Sequence, residues 1–118
     1  MSIQNAIASV AVNDLSSALA WYGRLFGRAA DSRPMPTVAE WKFDGGGWLQ
    51  VYELRERAGH GSVTLAVTDL ALQIAELRKA GIDAGTPMTS PKVQVVMTKD
   101  PDGNSIAFSQ ALDRSMAH

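Results

Sequence analysis

Two stretches of the chain nearly repeat each other, and that repeat limits the possible folds more than any other feature. Ser9-Val10-Ala11-Val12-Asn13-Asp14-Leu15 recurs as Thr64-Leu65-Ala66-Val67-Thr68-Asp69-Leu70, a shift of 55 residues in a chain of 118. Self-similarity over about half the chain points to two copies of one supersecondary unit sharing a core. The segments C-terminal to the two copies match as well. From Ser16 to Gly27, Ala18, Leu19, Tyr22, Leu25 and Phe26 fall at helical spacing. From Leu72 to Gly81, Leu72, Ile74, Ala75 and Leu77 do the same. Asp14 and Asp69 stand at the N-cap position, and Gly27 and Gly81 at the C-cap.

After each helix the pattern turns to strands. Val38–Asp44 and Trp48–Leu54 flank Asp44-Gly45-Gly46-Gly47, a hairpin signal. Val93–Thr98 and Ser105–Gln110 flank Lys99-Asp100-Pro101-Asp102-Gly103-Asn104, where Pro101 suits the first corner of a turn and Gly103 a positive φ. Weaker strands are expected near Ala29–Arg33 and Asp83–Met88. Prolines at 34, 36, 87 and 91 make those two the irregular edges. The reading is α+β, βαβββ twice, in a single domain over residues 1–118. Module 1 covers about 5–55, Arg55–Gly61 is the linker, module 2 covers about 60–111, and 112–118 is a tail.

Composition narrows the function. A domain of this length buries roughly two-thirds of its unfolded surface, and a 46% hydrophobic content supplies that core. With no cysteine, disulfides, thiolate nucleophiles and cysteine-bound metals are excluded. Net charge is −1, from 11 basic and 12 acidic residues with no like-charge run, so no nucleic-acid partner is expected. Apolar runs fall far short of the roughly 20 residues that span a bilayer, so no membrane partner is expected either. Met1-Ser2-Ile3-Gln4-Asn5 lacks the basic and apolar segments of a signal peptide, which makes a cytoplasmic location the expectation.

The two βαβββ halves resemble the vicinal oxygen chelate superfamily, which includes glyoxalase I, extradiol dioxygenases and bleomycin-resistance binding proteins. The likeness is carried by the (Asn/Thr)-Asp-Leu helix entry, by Trp21-Tyr22 followed by Leu25-Phe26-Gly27, and by Asp100-Pro101-Asp102-Gly103-Asn104 before the last strand. It covers nearly the whole chain. The resemblance implies a curled mixed sheet around a cavity, helices on its outer face, and a homodimer. Enzymes of that superfamily hold a metal on a His of the first strand and a Glu of the fourth. The second module repeats this with His or Gln and a closing Glu. The matching positions here are Ile7, Gln50, Ser62 and Ala107. Two of them have no donor atom, and the other two are weak neutral ligands. The expectation is therefore no metal and no cofactor.

Other chemistry finds little support. His60 lies between Gly59 and Gly61 in the linker, where a solvated loop histidine is expected, and His118 is the last residue. No serine sits in a Gly-x-Ser-x-Gly elbow, so no catalytic residue is assigned. Gly45-Gly46-Gly47 lacks the Lys-Ser/Thr of a phosphate loop.

Alternation assigns the strand faces. Ala8, Val10 and Val12 oppose Ile7, Ser9 and Ala11. Val63, Leu65 and Val67 oppose Ser62, Thr64 and Ala66. Ile106 and Phe108 oppose Ala107 and Ser109. One face is aliphatic and suits packing under helices. The other is small or mildly polar and suits a cavity floor. Trp48, Gln50 and Tyr52 fall on the cavity side, and an even-length hairpin loop would add Trp41 and Phe43. The candidate ligand-binding set is Trp41, Phe43, Trp48, Gln50, Tyr52, Ser9, Ser62 and Thr64. Rings with a few amide and hydroxyl groups suit a planar or aromatic ligand. For Trp41 and Trp48, pocket lining stands against core or dimer contact. Trp21 reads as packing, and Glu40 and Lys42 as a solvated strand face.

The function expected is a metal-independent small-molecule binding protein of the bleomycin-resistance kind. The alternative is a metal-dependent lyase or dioxygenase whose ligands include His60 and Glu53. A third reading is a dimerisation or partner-binding module with a vestigial cavity.

Overall fold

The computed structural model of the chain describes residues 2–112. Two βαβββ modules follow each other. Module 1 has β1 (Ile7–Val12), α1 (Leu15–Phe26), β2 (Ser32–Met35), β3 (Val38–Lys42) and β4 (Trp48–Glu53). Module 2 has β5 (Ser62–Ala66), α2 (Leu70–Lys79), β6 (Met88–Thr89), β7 (Val93–Lys99) and β8 (Ser105–Ala111). Each builds its own mixed four-stranded sheet, in the orders β1-β4-β3-β2 and β5-β8-β7-β6. β1 runs parallel to β4, and β5 parallel to β8. β2, which contains Pro34, and β6, which lies between Pro87 and Pro91, are the antiparallel outer edges, β2 with a register shift and β6 only two residues long. The sheets meet where β1 lies beside β5.

The repeated aspartates start the helices as the sequence predicts. Asp14 is extended, and its carboxylate accepts from the Ser17 backbone N–H at 3.0 Å and the Ser17 hydroxyl at 2.7 Å. Asp69 accepts from the Leu72 N–H at 3.1 Å. A second device is also repeated. Glu53 Oε1, at the end of β4, accepts from the Leu15 N–H at 3.0 Å, and Gln110 Oε1, in β8, accepts from the Leu70 N–H at 2.8 Å. Two orphan donors of each first turn are thereby satisfied. Gly27 ends α1 with φ +69. In module 2 the cap comes one residue earlier than expected: Ala80 takes it, and Gly81 follows at φ +75.

The aliphatic faces pack under the helices. Val10, Val12, Leu49 and Val51 meet Leu15, Ala18, Tyr22 and Leu25 in one continuous core with Val63, Leu70, Leu77, Val96, Ile106 and Phe108. The turn before β8 pins the modules together. The Asn104 side-chain amide donates to the Ala11 carbonyl at 2.8 Å and to Asp100 at 2.7 Å, and Asn104 Oδ1 accepts from the Gly61 N–H. Asn13 donates to Asp102 at 2.6 Å. Among the described residues, no helix is long and apolar enough to cross a membrane.

Candidate functional site

The sheet face turned away from α1 carries three cross-strand rows set by register. Ser9, Gln50 and Glu40 form the middle row across β1, β4 and β3. Ile7, Trp48 and Lys42 form the row on one side; Ala11, Tyr52 and Val38 form the row on the other. The middle row is hydrogen-bonded across the sheet. The Ser9 hydroxyl donates to Gln50 Oε1 at 3.4 Å, and Gln50 Nε2 donates to Glu40 Oε2 at 3.1 Å. The Lys42 ammonium lies 5.8 Å from the centre of the Trp48 ring, within cation–π range. Trp48, Gln50, Tyr52 and Glu40 are half-buried and Ser9 is exposed, so this face is accessible.

In module 2, Thr64 aligns with Ala107 and Met97, and Ser62 with Ser105 and Lys99. Ser62 and Thr64 are exposed on that face. It lacks any ring, and the module 1 face holds two.

Two of the expected binding residues lie elsewhere. Trp41 is completely buried, pairs with Leu49 on the helix side, and packs against Tyr22 and Phe26 with ring centres 6.0 and 5.5 Å away. Its indole N–H donates to the Arg28 carbonyl at 3.1 Å. Phe43 stacks edge-on against Phe26 at 5.4 Å. The physical reason is the hairpin. Lys42 pairs with Trp48, which leaves five residues, Phe43 to Gly47, in the loop. An odd loop puts Lys42 and Glu40 on the same face as Trp48 and Gln50, and turns Trp41 and Phe43 to the helices. Sequence reading therefore missed Glu40 and Lys42. Counting the loop was the signal that could have found them.

The superfamily's metal does not fit these side chains. Ile7 and Ala107 offer no donor, and Gln50 is held by Ser9 and Glu40. Glu53 faces the helix and is spent on the Leu15 N–H. His60 is exposed in the turn before β5, and His118 lies outside the described residues. Among the described residues, no three His, Asp or Glu side chains gather where one ion could bind them.

Two cavities lie away from the row. One, of about 490 Å³, is bounded by Trp21, Ile82, Asp83, Met97 and Lys99. The other, of about 240 Å³, lies between α1 and the turn before β8, beside Asn13, Ser17, Tyr22, Asp100 and Asp102. The polar groups of the second are engaged with one another. Asp100 accepts from the Tyr22 hydroxyl, from the Asn104 amide, and from the backbone N–H groups of Asp102 and Asn104. Burial, and then the Asp100 charge, push the Tyr22 hydroxyl pKa far above its ordinary value. Such a tyrosine is a fixed donor, unsuited to proton transfer near neutrality.

No protein-family model matches the chain, and no curated protein does. Solved structures do. A glyoxalase / bleomycin resistance protein from Catenulispora acidiphila DSM 44928 is 37% identical over 92% of this chain and 98% of its own, with a TM-score of 0.84. TnmS3, an antibiotic binding protein from Streptomyces sp. CB03234, shares the fold with a TM-score of 0.78, at 24% identity over 94% of this chain and 98% of its own. A lactoylglutathione lyase from Agrobacterium tumefaciens shares it with a TM-score of 0.74, at 18% identity over 91% of this chain and 92% of its own.

Proposed function

Because the chain belongs to the glyoxalase / bleomycin resistance protein family, within the vicinal oxygen chelate superfamily, we propose that it is a binding protein for a small planar or aromatic molecule and works without a metal or other cofactor. The observation that carries this is the face of module 1. Trp48 and Tyr52 stand on either side of a hydrogen-bonded Ser9–Gln50–Glu40 row, and the family's metal positions hold Ile7, Gln50, Ser62 and Ala107. Rings supply stacking area and the row supplies orientation, which together meet the needs of a small-molecule site. The fold is shared by an antibiotic binding protein, which supports the same reading.

In this reading a second copy of the chain roofs the face, and Ser62 and Thr64 of module 2 face the ligand across the dimer. Exposed apolar side chains on the open faces support it: Ile7 and Met35 in module 1, Met88 and Met97 in module 2. Burying them would remove apolar area from water. The protein would act in the cytoplasm, with no nucleic-acid partner, as its near-neutral charge allows.

Thermal-shift screening of purified protein against aromatic metabolites and antibiotics tests the binding, and light scattering tests the dimer. A ligand that raises Tm in the wild type and not in Trp48→Ala is the expected result. Elemental analysis separates this reading from a metal-dependent lyase or dioxygenase. Stoichiometric zinc, nickel, manganese or iron would overturn it.

A further inference from the structure

The middle row has an uneven supply of hydrogen-bonding atoms. Gln50 uses one lone pair of Oε1 on the Ser9 hydroxyl and one N–H on Glu40 Oε2. What is left is a second lone pair on Gln50 Oε1, the lone pairs of the Ser9 oxygen, one N–H of Gln50, and Glu40 Oε1, which has no partner among the described residues. Acceptors outnumber donors. Glu40 is half-buried, and among the described residues no cation lies within ion-pair distance of it. Lys42, two residues along, is turned onto Trp48 instead. A partly desolvated carboxylate with a free oxygen gains most from charge-assisted N–H donors, and two parallel donors satisfy it best.

The rings fix where those donors must be. Trp48 and Tyr52 lie two residues before and after Gln50 on the same face of β4, about 7 Å from it along the strand. A flat ligand stacked on Trp48 carries its edge over Gln50 and Glu40. We infer that the ligand is a flat heteroaromatic with adjacent N–H donors on one edge, of the aminopyrimidine or amidine class, and that Glu40 selects it. This rests on the open face of module 1 being the binding surface.

Two probes of equal shape test it: 2,4-diaminoquinazoline, whose N1-protonated form presents N1–H and the 2-amino group as adjacent donors, and 2,4-dimethylquinazoline, which lacks the amino donors. Calorimetric titration of the full-length wild type, Glu40→Gln and Trp48→Ala with each probe gives the comparison. The diamino probe should bind the wild type at least about ten-fold more tightly than the dimethyl one, the usual weight of a hydrogen bond to a charged group. Glu40→Gln should abolish that preference, so that the two probes bind it equally, and a wild-type-like thermal melt shows that the variant is folded. Trp48→Ala should weaken both. Equal binding of the two probes, or a preference that survives in Glu40→Gln, overturns the selection by Glu40, while loss of both in Trp48→Ala keeps the surface. If neither probe binds, or Trp48→Ala binds both normally, the surface and the selection fall together.

Discussion

The Tyr22 hydroxyl donates to the Asp100 carboxylate across 2.7 Å, from α1 of module 1 to the turn before β8 of module 2. Tyr22 is fully buried and Asp100 nearly so. This bond and the Asn104 amide join the two modules through a buried network.

Tyr22→Phe leaves one lone pair of a buried carboxylate without its donor. It should cost about 1.5–3 kcal/mol, as for hydrogen bonds to charged groups. Urea unfolding at neutral pH measures it. The alkaline arm gives an independent check. The folded pKa lies far above the unfolded value near 10, so the neutral form is favoured in the fold. That contribution is complete below about pH 10 and is lost as pH rises further, because only the unfolded chain releases the proton. Above pH 10 the wild type should lose stability faster than Tyr22→Phe by about 1.4 kcal/mol per pH unit. Parallel curves for the two proteins would remove the buried-tyrosine account.

Trp41 and Trp48 should part company under mutation. Trp41 fills the core between β3 and α1, so Trp41→Ala opens a cavity and should cost about 3–5 kcal/mol. Trp48 is half-buried on the open face, and Trp48→Ala should cost much less while removing ligand-dependent stabilisation. Thermal unfolding of both variants, with and without a ligand that stabilises the wild type, decides the assignment. Comparable losses of stability would contradict the face assignment.

The repeat, the helix caps and the aliphatic faces were legible because each depends on neighbours in sequence. Val10 and Val12, Val63 and Leu65, and Ile106 and Phe108 take the face that alternation assigns them. The edge character of β2 and β6 was legible from the prolines in and beside them. What alternation cannot fix is the phase between two strands. That phase depends on the number of loop residues that leave the ladder, and Phe43 still hydrogen-bonds to Gly47 and Gly46 inside the loop. One residue of loop length exchanges Trp41 for Glu40 on the open face. The Tyr22–Asp100 link was illegible for a different reason: its partners are 78 residues apart and no periodicity couples them.

Glycines at 27 and 59 both have positive φ, at +69 and +84. A Cβ on Gly27 would meet nothing within 4 Å. A Cβ on Gly59 would lie 2.2 Å from the Asp102 carbonyl oxygen, backbone of the turn that docks the modules. Gly27→Ala should therefore cost only the left-handed backbone penalty, about 1 kcal/mol. Gly59→Ala must also displace the Asp102 turn, and should lower the denaturation midpoint well beyond that. Equal midpoints for the two variants would show that the turn before β8 yields freely.

Asp14 contributes to the loss of stability on the acid side. The Ser17 hydroxyl, and then the Ser17 backbone N–H, hold its carboxyl below the usual value of 3.8. A depressed folded pKa contributes stability that is complete above the unfolded value and lost as pH falls through the folded one. The affected window therefore starts near pH 3.8 and runs downward. Asn caps a helix about as well as Asp and does not titrate. Asp14→Asn should match the wild type near neutrality and lose less stability between about pH 4 and pH 2. Asp14→Ala should be weaker throughout, because the Ser17 N–H then has no side-chain acceptor at the start of α1. Denaturant midpoints of the three proteins across that range separate the charge from the cap, and an unchanged acid slope in Asp14→Asn would assign the acid loss to other carboxylates.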